Sequence, residues 1–285
     1  MFIFQKEVGM KQKLLILDID GTLTNSKKEI TARTKASVID LMKRGHKCML
    51  ASGRPLCGMK WAAKELEFET YGGYLLSYNG AKIVRFDTME TIYEKRVPRN
   101  IFPLLYQYAK EHESGIISYD GDVIISGNGI NEYIELESKI NHMHLKEVED
   151  FPNYFKEDTI KCMFCTHPDK TQAMELELQG LLKNEQVSVY RSEPFYVEVM
   201  PLDVNKATSI EHMLPTIGIT RENTVACGDG YNDITMLKYA GVGVAMGNAH
   251  DVVKESADEV TGTNEEDGVV SVIERYFTKE IELDK

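Results

Sequence analysis

Apolar residues along the chain fall into short unbroken runs separated by amphipathic stretches, and each unbroken run ends at a polar or glycine-containing cluster. The run at 13–17 stops at Asp18, and a run that short with no polar alternation predicts a strand covered on both faces, as in a parallel sheet. Residues 31–44 place Ala36, Val38, Ile39, Leu41 and Met42 at helical spacing and end at Gly45, which predicts a helix with a C-terminal glycine. A strand at 47–51, a helix opened by Pro55 and running to about 67, and a strand at 74–77 follow. Strand and helix alternate, so these residues imply a doubly wound α/β sheet. The rhythm returns late, with helices at 205–217, 233–239, 249–256 and 267–277 around strands at 224–227, 242–245 and 259–260.

The middle of the chain has a different pattern. Runs at 82–86 and 91–93 predict a hairpin, and runs at 115–119 and 123–126 predict another around Asp120-Gly121. Helices at 100–113, 130–140 and 169–182, with strands at 159–165, 187–190 and 195–200, complete an α+β pattern. Residues 1–82 and 200–285 therefore read as one α/β core, and 83–199 as an inserted α+β cap domain. An insertion crosses between domains twice, which suits a cap that hinges over a site.

Composition narrows the class. The 285 residues are 42% hydrophobic and 27% charged, ordinary for a globular protein. No run approaches the roughly 18 to 20 apolar residues of a membrane span, and residues 1–13 lack the apolar core of a signal peptide. A cytoplasmic protein is expected, with no membrane and no nucleic-acid partner, because the net charge is −12 and nucleic-acid surfaces are basic. An anionic substrate stays open, since a bound cation and a few local lysines or arginines can reverse the field inside a pocket. Five scattered cysteines, Cys48, Cys57, Cys162, Cys165 and Cys227, are expected as reduced thiols. The CxxC at 162–165 has no second ligand pair, so two thiols in or beside a buried strand is the simpler reading.

Four polar clusters follow predicted strands, the edge at which open α/β sheets bind ligands. Asp18-Ile19-Asp20-Gly21-Thr22 offers two carboxylates after a buried strand; such groups need a cation or donors nearby. Its spacing reaches Glu29 at the twelfth position, as a calcium loop would, but the glycine sits at the fourth rather than the sixth and a strand precedes it. Ser52-Gly53-Arg54-Pro55 reads either as a phosphate cradle at a helix start or as a plain N-cap by Ser52. Lys206 near a helix start opposes the helix dipole, so it calls for an anion nearby or is simply an exposed lysine. Gly228-Asp229-Gly230-Tyr231-Asn232-Asp233 adds two carboxylates in a flexible loop, where Asn232 or Asp233 could also cap the next helix. If one parallel sheet carries all four clusters, Asp18, Asp20, Asp229 and Asp233 gather around a cation and Ser52, Lys206 and Asn232 around an anion. Oxygen-only ligands select Mg²⁺ over zinc.

These residues resemble the haloacid dehalogenase superfamily. LDIDGTL at 17–23, ASGRP at 51–55, Asn205-Lys206 and GDGYNDITML at 228–237 match its four motifs in order and spacing. Within it the chain resembles the Cof-type sugar-phosphate phosphatases, with a large α/β cap (type C2B) between the second and third motifs; Tyr78-Asn79-Gly80-Ala81 and TNEEDGV at 263–269 match as well. The resemblance covers about 11–82 and 200–277. It implies a Mg²⁺-dependent phosphatase acting on small phosphorylated metabolites such as sugar phosphates. Asp18 would be the nucleophile and Asp20 the general acid and base. Asp18, the carbonyl of Asp20, Asp229 and Asp233 would serve the metal. Ile19, Ser52, Gly53, Arg54, Asn79, Lys206 and Asn232 would bind phosphate or substrate. A monomer or weak homodimer is expected. A phosphomutase with the same motifs is the alternative within the superfamily, and a non-catalytic regulator is the alternative outside enzymology.

Two features depart from that pattern. Asp203 stands where many such proteins carry glycine, and the residues before Lys11 have no counterpart, either an extension or a segment ahead of a start at Met10. His142 and His144 lack acidic or cysteine partners at ligand spacing, so no metal is expected there. Arg54 could meet a substrate anion or a core carboxylate, and Trp61 is expected in the core.

Overall fold

The structure is a computed structural model that describes residues 12–277; the segment before Lys11 discussed above lies outside the described residues. In chain order the strands are β1 (Leu14–Leu17), β2 (Lys47–Ala51), β3 (Tyr74–Ser77), β4 (Lys82–Arg85), β5 (Glu90–Glu94), β6 (Gly115–Asp120), β7 (Val123–Gly127), β8 (His144–Glu147), β9 (Cys162–Cys165), β10 (Val187–Glu193), β11 (Tyr196–Pro201), β12 (Thr224–Gly228), β13 (Val242–Ala245) and β14 (Glu259–Val260). The helices are α1 (Ala32–Lys43), α2 (Leu56–Glu65), α3 (Phe68–Tyr71), α4 (Phe102–Glu111), α5 (Glu132–Asn141), α6 (Phe151–Tyr154), α7 (Pro168–Leu181), α8 (Lys206–Met213), α9 (Ile234–Tyr239), α10 (Asp251–Lys254) and α11 (Gly268–Tyr276).

The described residues form two compact units, one of 12–50, 64–74 and 214–277, the other of 51–63 and 75–213. The stretch 83–199 lies whole within the second unit, together with 51–63, 75–82 and 200–213. Hydrogen bonds explain the grouping: Lys206 Nζ donates to the Ala51 carbonyl at 2.7 Å and Ser209 Oγ to the Gly80 carbonyl at 2.6 Å.

In the first unit β1 is the middle of a parallel ladder ordered β14-β13-β12-β1-β2. Leu14 pairs with both Thr224 and Lys47, and every residue of β1 is fully buried, as an unbroken apolar run requires. Thr31 caps α1, accepting from the Thr34 amide at 3.1 Å, and Asp267 in turn accepts from the hydroxyls of Thr31 and Thr34. The helix expected at 249–256 shrinks to α10, because β13 claims the chain beyond it: Asp258 exchanges 2.8 Å bonds with Gly243 through both its amide and its carboxylate. The helix expected at 205–217 leaves α geometry at Leu214, one residue before Pro215, whose ring has no N–H to donate.

The second unit holds β3 from Leu75 on, the β4–β5 hairpin and a six-stranded sheet ordered β10-β11-β9-β6-β7-β8. This sheet is antiparallel except where β8 joins β7 in parallel. One face carries Ile116, Ile125, Phe164, Val197 and Val199 against Phe102, Phe151 and Leu178. The other carries Ile117, Tyr119, Met163, Tyr196 and Met200 against Ile134, Tyr78 and Ala81. Cys162 belongs to the first face and Cys165 to the second, so their side chains diverge; burial pushes both thiols well up, and all five cysteines are free. Sequence patterning misses β8, an edge strand whose residues are exposed except for a half-buried Leu145, and α6, a single turn anchored by fully buried Phe151. Trp61 is only half-buried on α2.

Asp203 has φ 57°, the left-handed region, and precedes α8 in a turn where its carbonyl accepts from Thr208 Oγ1 at 3.0 Å. That conformation explains glycine at this position: a β-carbon there costs up to about 1–2 kcal/mol, less for aspartate than for branched residues. Asp203→Gly is expected to leave stability within about 1 kcal/mol of the parent, and Asp203→Val to lower it by more, as measured by urea unfolding.

His46 ties the ends of β1, β2 and α11 together. Its Nδ1 accepts from the Lys13 amide at 3.2 Å and its ring meets Phe277 edge-on at 5.2 Å. Burial first, then the cations Arg44 and Lys13, hold this imidazole below its ordinary 6.5. The folded chain thus binds the proton less readily than the unfolded chain. The stabilisation is complete above the ordinary value and is lost as pH falls through the lowered one. Unfolding titrated from pH 8 to pH 5 is expected to show a steeper acid-side loss in the parent than in His46→Asn.

Candidate active site

The end of β1 is shaped by its own backbone. The Asp18 amide continues the ladder by donating to the Cys227 carbonyl at 3.1 Å, and the chain then curls back, with Leu23 donating to Asp18 at 3.2 Å and Thr24 to Ile19 at 3.0 Å. Thr24 Oγ1 adds a second bond to the Ile19 carbonyl at 2.9 Å, while the Ile19 side chain is fully buried. Gly21 takes φ 87°, and a β-carbon there would lie 2.3 Å from Asp229 Oδ2. Only glycine lets the two loops approach this closely.

Asp229 is held from two sides. Thr22 Oγ1 donates to its Oδ1 at 2.8 Å, and Asn248 Nδ2 reaches its Oδ2 at 3.4 Å and the Gly21 carbonyl at 2.9 Å. Asp233 is fully buried, and its Oδ2 accepts from the amides of Asp229 at 2.9 Å and Gly230 at 2.8 Å. A β-carbon on Gly228 would come within 2.5 Å of Asp233 Cβ, so this loop too is closed by a glycine. Asp18, Asp229 and Asp233 each bring a carboxylate oxygen within 4.8 Å of the others. Three such oxygens, two of them on buried residues, repel one another in a poorly solvated place, and a divalent cation relieves that repulsion. The donor set is all oxygen, which suits a hard ion.

Asp20 stands apart from this trio. Its half-exposed carboxylate accepts from Lys28 Nζ at 2.8 Å. Lys28 is left-handed, φ 62°, in a turn stitched by Asn25, whose Oδ1 accepts from the amides of Lys27 and Glu29 at 3.0 Å each. The 263–269 segment braces that turn: Glu265 accepts from the Ser26 amide at 2.6 Å and Asn264 donates to the Thr24 carbonyl at 2.8 Å. Asn264 also donates its amide to Asn248 Oδ1 at 3.0 Å, so the brace reaches the residue that holds Asp229. Glu29 is exposed and lies outside the carboxylate group, against a calcium loop. Asn232 is exposed on the loop before α9.

The remaining predicted residues belong to the second unit. Ser52 is buried, donates its amide to Leu76 at 2.9 Å, and accepts from the Arg54 amide at 3.1 Å. Its hydroxyl therefore turns the loop, three residues short of the position that caps α2. The Asn79 amide group lies 3.1 Å from where a β-carbon on Gly53 would be. Arg54 reaches the Ile140 carbonyl at 3.4 Å and lies near Glu137, so it contacts α5. Lys206 is fully buried at the first position of α8. An ordinary exposed lysine is thereby ruled out, and an ammonium buried at the positive end of a helix needs an anion or carbonyls close by.

Sequence reasoning passed over Lys28 and Asn248 and, though it noted the segments that hold Thr22 and Asn264, gave neither side chain a role. Asn248 was open to discovery, since Gly247-Asn248 follows β13 just as the other clusters follow their strands. Lys28 was not, because nothing in an exposed polar run says which lysine folds back.

Residues 15–273 match the haloacid dehalogenase-like hydrolase family. The chain belongs to that family. A haloacid dehalogenase-like hydrolase from Bacteroides thetaiotaomicron has a similar structure, with TM-score 0.88 and 43% identity over 94% of this chain and 100% of that one. The HAD subclass IIB sugar phosphatase BT4131 superposes with TM-score 0.77 at 26% identity, over 93% of this chain and 99% of that one. The 5-amino-6-(5-phospho-D-ribitylamino)uracil phosphatase YcsE of Bacillus subtilis is 29% identical over 265 residues, 93% of this chain and 95% of its own. The Cof-type α/β fold with a second sheet, expected from the motifs, is thus what the chain has.

Gly21→Ala is expected to push Asp229 aside and to weaken divalent-ion binding at least about tenfold by calorimetry. Gly45→Ala, at a positive-φ glycine with open space around its β-carbon position, is expected to leave it unchanged.

Proposed function

We propose that this HAD-family enzyme is a Mg²⁺-dependent phosphatase that hydrolyses small phosphorylated metabolites, sugar phosphates or similar, through an aspartyl-phosphate on Asp18. The observation that carries the reading is the gathering of Asp18, Asp229 and Asp233 within 4.8 Å at the end of β1 and β12. In this reading residues 1–82 and 200–285 are the hydrolase core and 83–199 the cap.

Asp18, Asp229 and Asp233, with the Asp20 carbonyl, would hold Mg²⁺, which when bound offsets the charge of carboxylate and phosphate so that one anion can approach another. An Asp18 oxygen attacks phosphorus while the bond to the leaving oxygen breaks. That oxygen takes the proton of the Asp20 carboxyl. Asp20, now a carboxylate, removes a proton from water, whose oxygen attacks the acyl phosphate and breaks the phosphorus–Asp18 bond. Inorganic phosphate leaves, and Asp18 is regenerated. Lys206, Ser52, Gly53, Asn232 and the Ile19 backbone are assigned to the phosphoryl oxygens, Arg54 and Asn79 to phosphate or the rest of the substrate. Phosphoryl transfer is governed by positioning and electrostatics, a role that the buried ammonium of Lys206 suits.

The sugar phosphatase activity in the name of BT4131 supports a sugar phosphate as substrate class. No helix among the described residues is long and apolar enough to cross a membrane.

The test is phosphate release over a panel of phosphorylated metabolites with Mg²⁺. Asp18→Asn is expected to lose at least about 10³-fold in kcat. Chelation is expected to abolish turnover and Mg²⁺ to restore it. Undiminished turnover in either arm, or isomerised product without released phosphate, overturns the reading.

A further inference from the structure

The four carboxylates expected around a cation do not all meet. Asp18, Asp229 and Asp233 come within 4.8 Å of one another, while Asp20 Oδ1 accepts from Lys28 Nζ at 2.8 Å. The Asp20 backbone is fixed independently of its side chain, by a bridge to Thr24 and by the bonds of the Leu23 and Thr24 amides to Asp18 and Ile19. Lys28 is exposed, and an exposed ion pair contributes little to stability. Its backbone is nevertheless left-handed, φ 62°, where a β-carbon is strained. The turn holds it there: the Lys28 amide donates to the Asn25 carbonyl at 2.9 Å, and the Asn25 amide to the Glu29 carbonyl at 3.0 Å. Glu265 and Asn264 clamp the turn at Ser26 and Thr24, and Asn264 continues to Asn248, which bonds Gly21 and Asp229. One connected set of hydrogen bonds thus runs from Asp229 to the turn that carries the Lys28 ammonium.

An ammonium and a divalent ion compete for the same carboxylate. With Lys28 on Oδ1, the Asp20 side chain is drawn from the trio, and a cation there is met by three carboxylates rather than four. With the ammonium removed, a bound divalent ion is the largest local positive charge, and the Asp20 carboxylate can swing onto it as a further ligand. A carboxylate on a metal ion has its lone pairs engaged and is a poor carrier of protons. The ion pair also tells the two oxygens of Asp20 apart. An ammonium only donates, so the oxygen that accepts from it is not the one that bears a proton. A carboxyl group held through Oδ1 carries its proton on Oδ2.

We propose that Lys28 is a positioning residue for Asp20: it keeps the Asp20 carboxylate off the cation site of Asp18, Asp229 and Asp233, and it leaves proton exchange with the leaving oxygen to Oδ2. This rests on the phosphatase reading, in which Asp20 is the general acid and base. An ion pair that only fastens the 24–29 turn accounts for the same 2.8 Å bond, but it sets no condition on how tightly the cation binds or on which leaving groups depart.

Lys28→Met separates the two, since it removes the ammonium and keeps an unbranched side chain. By calorimetry it is expected to bind Mg²⁺ about fivefold more tightly than the parent, and in an Asp20→Asn background it is expected to change nothing further. A gain that persists in that background is a general effect of charge and overturns the proposal. Unchanged or weaker binding in Lys28→Met overturns it too. Lys28→Arg, which restores charge and donor, is expected to bind within about twofold of the parent. The second readout is kcat/KM, which covers the steps up to loss of the leaving group. In Lys28→Met it is expected to fall about tenfold on an alkyl phosphate, whose leaving oxygen needs a proton, and to stay within about twofold on p-nitrophenyl phosphate, whose leaving group departs as an anion. Equal losses on both overturn the link to Asp20. A parent chain that releases phosphate from neither overturns the phosphatase reading and the proton half of this proposal with it, while the calorimetry still decides whether Lys28 holds Asp20 off the cation.

Discussion

Mutual repulsion among carboxylates is the constraint around which the first unit is organised. Asp18, Asp229 and Asp233 occupy one small volume, held there by backbone and side-chain hydrogen bonds at the strand ends. Asp233 accepts from two amides, Asp229 from a hydroxyl and an asparagine, and Asp18 is fixed by the ladder itself. Peptide dipoles can lower the cost of such a cluster without neutralising it. What remains is an electrostatic demand that a hard divalent ion meets, and the fold pre-stores the geometry for it. Gly21 and Gly228 serve that same end, since a methyl group at either position would force the carboxylates apart.

The second unit solves the opposite problem, how to keep cations where water is scarce. Lys206 rests on the carbonyl that ends β2, and Lys161 on the carboxylate of Glu198. Both are buried lysines, yet they differ in kind. Lys161 meets the carboxylate of Glu198 at 2.6 Å, and Lys206 sits at the positive end of a helix, where an anion is favoured. Placement beside the Ser52 turn makes the same point from the backbone side, because that turn leaves polar groups at the start of α2.

Much of this was legible in the chain itself. The unbroken runs at 13–17 and 224–227 marked buried strands because a parallel strand is covered on both faces, and the polar residues directly after them marked the site. The Gly45 stop of α1 was readable because helix termination is local chemistry. The short α10 and the edge strand β8 were not, since hydrogen bonds from distant residues decide both. Ser52 is instructive: a serine before a helix suggests a cap, but here its hydroxyl is used two residues on, to turn the loop.

The sequence alone determined the family, the strand-end clusters and the residue types that chemistry at phosphorus requires, because those depend on local spacing and on which atoms can ligate. Tertiary structure decided which carboxylates actually meet, that Asp20 pairs with Lys28 instead of joining them, and that Lys206 is buried. It also decided that Asn248 belongs in the account. The physical reason is that such bonds, whether between Asp20 and Lys28 eight positions apart or between Lys206 and Ala51 far along the chain, follow no period or spacing in the sequence, and only the folded backbone brings their partners together.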